Sequence, residues 1–158
     1  MNDVRFASAL QIVMSLAYEE RHGTRCTSQA LAHALGANPS FVRKLLVPLG
    51  RAGIVVAAAG GNGGVRLART ADQISLRDVY LAVTDNKPLL SPRADVPCVC
   101  TVSTNINSLF ERIADDAQSA VLASLGQRTV AAAIAEIEQI DEARSSSAPV
   151  ESAGRLAE

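Results

Sequence analysis

Three cysteines, two histidines and an Arg43-Lys44 pair are the residues of this 158-residue sequence whose types and spacing could do chemistry. Cys98 and Cys100 stand one residue apart in PCVC, and Cys26 lies far from them, beside Arg25. A disulfide across a single residue is strained and easily reduced, so the C-x-C pair suits oxidant or electrophile sensing, within one chain or between two. An arginine neighbour lowers a thiol pKa, which is the expectation for Cys26. The competing reading is plain: a free cysteine is often a small buried hydrophobe. An iron–sulfur cluster takes three or four thiolates or imidazoles. PCVC offers two, and neither His22 nor His33 is local to it. No resident cluster, metal site or cofactor is therefore expected; the alternative is a cluster that a partner subunit completes. The sequence also has no H-E-x-x-H, no C-x-x-C pair and no G-x-S-x-G, so no enzyme is expected.

The basic pair gains meaning from what surrounds it. Asn38-Pro39 opens a helix with a capping side chain followed by proline at the first helical position, where its missing N–H is harmless. Phe41, Val42, Leu45, Leu46 and Leu49 would turn inward, while Ser40 and Arg43, three apart, share the opposite face. Before it, Thr27 or Ser28 caps a short helix, QALAHAL, that ends at Gly36. After it, Ile54-Val55-Val56 and Val65-Arg66-Leu67 read as two short strands around the Gly-rich AAAGGNGG. Helix, tight turn, helix and hairpin, in that order, make a winged helix-turn-helix. In that motif the start of the second helix meets base edges, which nominates Pro39, Ser40, Phe41, Arg43 and Lys44. Arg43 is suited to a bidentate pair with guanine, Lys44 to phosphate, and Thr27 and Ser28 to phosphate through helix-start amides. The glycines, Gly61 and Gly63 among them, allow close backbone approach to an anion. A nucleotide-phosphate loop is excluded because no Lys-Ser/Thr and no helix follow.

The remaining elements must position this head. A first helix is expected over residues 4–19, with its stripe at Val4, Ala7, Leu10, Val13 or Met14, and Ala17, widened by Ile12 and Leu16. Ser75 or Asp72 caps a helix through SLRDVYLAVT, and residues 86–102, with three prolines, read as irregular. Asn105 begins the longest helix, which puts Ile106, Leu109, Phe110, Ile113, Ala117 and Val121 on one face, and a last helix runs from Arg128 to Ile140. The head already has a core of its own, so a two-fold partner is the simplest cover for that face. The alternative is that the long helix folds back on its own head. The expected architecture is mainly α with a small β-wing: a winged helix-turn-helix head over 1–84, a sensor loop over 85–104, dimerisation helices over 105–142 and a disordered tail over 143–158.

Charge and composition agree with this division. Residues 1–70 carry eight basic and three acidic groups, and residues 71–158 carry seven and thirteen. A basic head before an acidic body points to double-stranded DNA as partner. A winged helix that docks only on protein is the rival reading. Three cysteines without scaffold density suggest a reducing cytoplasm, and no apolar run approaches a membrane span.

The stretch LVPLGRAGIVVAAAGGNGGVRLART with ISLRDVYLAV, preceded by TSQALAHALGANPSFVRKLL, closely resembles the Rrf2 family of bacterial winged-helix regulators. The resemblance runs from about residue 2 to residue 140. It implies a homodimer held by the long helix and bound to a palindromic operator, usually as a repressor. Members of the group sense through iron–sulfur clusters, nitric oxide or cysteine metabolism. Two departures stand out: Ala59 replaces an arginine common before the wing glycines, and Val65 replaces a tyrosine. The minor-groove contact of that arginine is then lost or moved to Asn62 or Arg66. Cluster-binding members carry three cysteines before the long helix, where this sequence has two. The alternatives to thiol sensing are an iron–sulfur-sensing regulator whose cluster a partner subunit completes, and a small-molecule effector in the cleft between the head and the long helix.

Overall fold

The computed structural model describes residues 4–24, 26–57, 64–85 and 87–147. The first helix, α1 (Val4–Arg21), buries Ala9, Ile12, Val13, Leu16 and Ala17. Val4 instead is 62% exposed, so the buried stripe is rotated from the expected one. The reason is that α1 is apolar on two sides. Its second edge, Ala7, Leu10 and Met14, lines a groove against a later helix, with Leu10 and Met14 also touching the central core.

Helix α2 (Ser28–Leu35) starts where the Thr27 hydroxyl accepts from the Ala30 N–H at 3.1 Å, and stops at Gly36 with φ of 59°. That left-handed turn favours glycine and redirects the chain into the next helix. Helix α3 (Pro39–Arg51) begins as its residues dictate: Asn38 Oδ1 accepts from the Ser40 N–H at 2.8 Å, with Pro39 in the first turn. It continues through Pro48 to Arg51 and buries Val42, Leu45 and Leu49. The antiparallel pair β1 (Val55–Ala57) and β2 (Val65–Leu67) follows, in the register Val55↔Leu67, Val56↔Arg66 and Ala57↔Val65. Strand β1 begins one residue later than expected because Ile54 is fully buried and its N–H donates to the Leu49 carbonyl. The wing tip, with Gly61, Asn62 and Gly63, lies outside the described residues.

A 3-10 turn (Ala71–Gln73) leads to α4 (Leu76–Thr84), whose cap is Ser75. Ser75 accepts from the Asp78 N–H and Asp78 accepts from the Ser75 N–H, a reciprocal box that satisfies two helix-start donors. Phe6 and Tyr80 meet edge-on, with ring centroids 5.3 Å apart, and join α1 to α4.

Two boundaries differ from the sequence reading. Helix α5 spans Thr101–Gly126, four residues earlier than Asn105, because Cys100 and Ser103 close its first turn. Helix α6 spans Val130–Ser147, so residues 143–147, expected in a disordered tail, are helical. No glycine or proline interrupts the sequence between Gly126 and Pro149. A third difference is larger. Val130 and Ile134 are buried within the head's core, so α6 folds back on the winged head of its own chain instead of serving only an interface. The segment before it is also pinned: Val130 N–H donates to the Ile74 carbonyl, and Leu76 N–H to the Arg128 carbonyl, each at 2.9 Å.

Candidate nucleic-acid interface and thiol loop

The exposed face of α3 carries Pro39, Ser40, Arg43 and Lys44, the residues expected to meet DNA. Phe41, expected with them, is half-buried and packs against the core. Its place three residues before Lys44 and one before Val42 turns it sideways, where it seats the helix. Thr27 is exposed, with its oxygen committed to capping α2, and Ser28 is half-buried at the first helical position. Both stand at the N-terminal end of a helix, where free amides and the macrodipole favour an anion. Arg66 is exposed on β2 and donates to the Leu67 carbonyl at 3.1 Å. Between α3 and the hairpin lies an open cleft of about 610 Å³ whose lining includes Ser28, Arg43, Val47, Val56 and Val65.

Sequence reasoning missed two residues here. Arg69 donates to the Gly53 carbonyl and to the Gln73 carbonyl, each at 3.2 Å, and lies 3.9 Å from the Asp78 carboxylate. It thereby ties the turn before β1 to the start of α4, which fixes the hairpin relative to α3. Val47 is the second: an aliphatic side chain, 53% exposed, on the outer face of α3. Its place four residues after Arg43 and three after Lys44, on the same helical face, was the available signal.

The cysteines fall in two places. Cys98 and Cys100 are exposed, and Cys26 is half-buried at the base of the hairpin, where its carbonyl accepts from the Val65 N–H at 2.8 Å. The Cys100 sulfur lies 3.5 Å from both the Ser103 hydroxyl and the Ser103 N–H. These hydrogen bonds, from the side chain first and then from the Ser103 and Val102 amides, hold the Cys100 thiol below its ordinary pKa. Cys26 is the reverse of its expectation. Burial first, and the nearby Glu19 charge second, push its thiol up; Arg25, on which the expectation rested, lies outside the described residues. An iron–sulfur centre asks for three or four ligands. Among the described residues no three His, Cys, Asp or Glu side chains gather, and PCVC contributes two, so the side chains of one chain do not fit that donor set.

The loop that precedes α5 runs back along it. Leu89 N–H donates to Gln118 Oε1 at 3.0 Å, and Asn107 Nδ2 to the Arg93 carbonyl at 3.4 Å. A shallow cavity of about 350 Å³ lies between them, lined by Ser91, Arg93, Val96, Ile106, Asn107 and Phe110. Ile106, Leu109 and Ile113 are exposed on α5, Phe110, Ala117 and Val121 are half-buried, and Ala114 is its one buried residue. No helix among the described residues is long and apolar enough to cross a membrane.

Comparisons with known proteins agree with this geometry. A family model described as Rrf2, iron-dependent transcriptional regulator, matches residues 3–136. Protein aau3 of Rhizobium meliloti is 34% identical over 84 residues, a match that spans 52% of this chain and 54% of that protein. Thus the chain spans about half of that relative's length. The putative HTH-type transcriptional regulator YwnA of Bacillus subtilis is 26% identical over 130 residues, or 82% of this chain and 94% of its own. Among solved structures, CymR, described as the global cysteine regulator of B. subtilis, superposes with a TM-score of 0.62. It is 20% identical, and the match covers 86% of this chain and 97% of that one. IscR of T. potens gives 0.61 at 17% identity, with coverage of 94% and 92%. At these identities the structural likeness establishes the winged-helix fold alone.

Proposed function

Because the chain belongs to the Rrf2 family of DNA-binding transcriptional regulators, we propose that it acts in the cytoplasm as a homodimeric repressor on a palindromic operator. The observation that carries this reading is the pairing of two surfaces on one chain. Ser40, Arg43 and Lys44 form an exposed polar row on α3, and Ile106, Leu109 and Ile113 form an exposed apolar row on α5. A two-fold axis along α5 covers the apolar row with its own copy. It also presents two α3 helices to successive major grooves about 34 Å apart. Arg43 then reads guanine through its planar fork, Lys44 and the starts of α2 meet phosphate, and Arg66 follows the hairpin toward the minor groove. The wing residues Gly61, Asn62 and Gly63 complete this set.

Signal input is assigned to PCVC. Cys100 is the first-turn cap of α5, so modification of its sulfur removes that cap and disturbs the helix that sets the spacing of the two heads. In this reading the signal is an oxidant or electrophile, and no iron–sulfur cluster is resident.

Selection from a random duplex library with the full-length protein tests the function. The expected result is an inverted repeat whose affinity falls about 10³–10⁵-fold between 50 and 200 mM salt if six to ten phosphates are neutralised. Arg43→Ala is expected to relax preference at one position per half-site, by about 1–3 kcal/mol. Absence of any salt-dependent DNA binding would instead favour a winged helix that docks on protein.

A further inference from the structure

We propose that Val47 reads a base as well, by contact with the 5-methyl group of a thymine near the guanine met by Arg43; this rests on α3 entering the major groove. Along α3, Val42, Leu45 and Leu49 are buried, and Phe41 and Leu46 are half-buried. Pro39, Ser40, Arg43, Lys44, Val47, Gly50 and Arg51 are exposed, and Val47 is the one branched aliphatic residue among them. An isolated exposed aliphatic is ordinary on a protein surface. This one is not isolated: Val47 lines the same cleft as Arg43 and the half-open Val56 of β1.

Four residues place Val47 one turn beyond Arg43 on the same face, about 6 Å along the axis. With about 3.4 Å between successive bases, a helix lying along the groove sets the two side chains about two base pairs apart. Of the four bases, only thymine presents an apolar group, its C5 methyl, in the major groove. Valine in a helix is held to one strongly preferred χ1 rotamer, so its methyl groups are fixed rather than mobile. A fixed apolar surface discriminates a methyl from the polar edge of another base, because the wrong base leaves its polar atom facing a hydrocarbon. Arg43 and Val47 together would specify a guanine and a thymine in each half-site.

The test uses the duplex selected by the full-length protein. Each thymine in turn is replaced by deoxyuridine, which lacks only the methyl group. One replacement, within about two base pairs of the position relaxed by Arg43→Ala, is expected to weaken binding about fourfold, the effect of one buried methyl. Val47→Ala should bind the thymine and deoxyuridine duplexes equally. Val47→Ile, which keeps a β-branched hydrocarbon surface and a fixed χ1, should retain most of the discrimination. Thermal melting of both variants should match the parent, because the site is exposed. If no thymine is sensitive, or Val47→Ala keeps the sensitivity, Val47 is not a reader, while sequence-specific DNA binding stands. If no sequence is enriched at all, the DNA-reading role of α3 fails and this assignment fails with it.

Discussion

Cys100 does two things with one sulfur: it accepts the Ser103 N–H that starts α5, and it is the exposed thiol whose pKa its hydrogen bonds lower. The thiolate is the reactive form, so a lowered pKa means more reactive sulfur at neutral pH. With Cys26 and Cys98 replaced by serine, the rate of alkylation at Cys100 should reach its midpoint at a pH below that of an ordinary thiol. Ser103→Ala should move that midpoint upward. For Cys26, burial and Glu19 act in the other direction, and its midpoint should lie above the ordinary value. If thiol chemistry is the signal, Cys98→Ser/Cys100→Ser should abolish oxidant-dependent release from the selected duplex. Release that persists in this variant would remove PCVC from the mechanism. The sequence shows the pair, but not which thiol is activated, because the cap partner Ser103 belongs to a helix that starts earlier than its composition suggests.

At the scale of elements, the head was legible because its boundaries are written in capping residues. Asn38-Pro39 and Gly36 fix the turn between α2 and α3 by local chemistry, and the structure places both as local chemistry dictates. The two C-terminal helices were less legible. Thr101, Val102, Ser103 and Thr104 are modest helix formers, and a cysteine is an uncommon N-cap, so the start of α5 carries no strong local signature. Helix α6 shows a different limit. Periodicity names the apolar face of Val130, Ile134 and Ile137 but not the surface that receives it. Val130 and Ile134 enter the core shared with α1, while Ile134 and Ile137 lie across a groove from Ala7, Leu10 and Met14, so α1 is apolar on two sides. Ile134→Ala should therefore destabilise the head by about 2–5 kcal/mol. Ile137→Ala, at a position 53% exposed, should stay within about 0.5 kcal/mol. Denaturant melts of the two variants decide the matter: equal, small losses would mean that α6 is not part of the core.

For the whole molecule, the unsatisfied feature is the apolar row on α5. Leu109→Asp puts a charge at the centre of that row and, for the proposed homodimer, should shift the sedimenting species to a monomer, with helical content retained. DNA affinity should fall with it, since one head makes only half the phosphate and base contacts. A variant that stays dimeric would move the interface elsewhere. The division of charge fits the same arrangement: basic residues concentrate before residue 70, and acidic ones concentrate in the part carrying α5 and α6. Polyanion attraction is thereby directed to the head, and the body is repelled from the backbone.

The return of α6 to the head has a consequence for the order of events during synthesis. Ala9 and Ile12 share their core with Val130 and Ile134, more than a hundred positions later in the chain. Domains ordinarily fold as they emerge from the ribosome, at about 5–20 residues per second, beginning at the N-terminal end. Here the DNA-reading module emerges first, yet its hydrophobic centre lacks two members until nearly the last helix has been made. A nascent or truncated chain would present α3 on an incompletely packed base. On the proposed function, a chain cut before α6 should therefore bind the selected duplex more weakly than the intact chain.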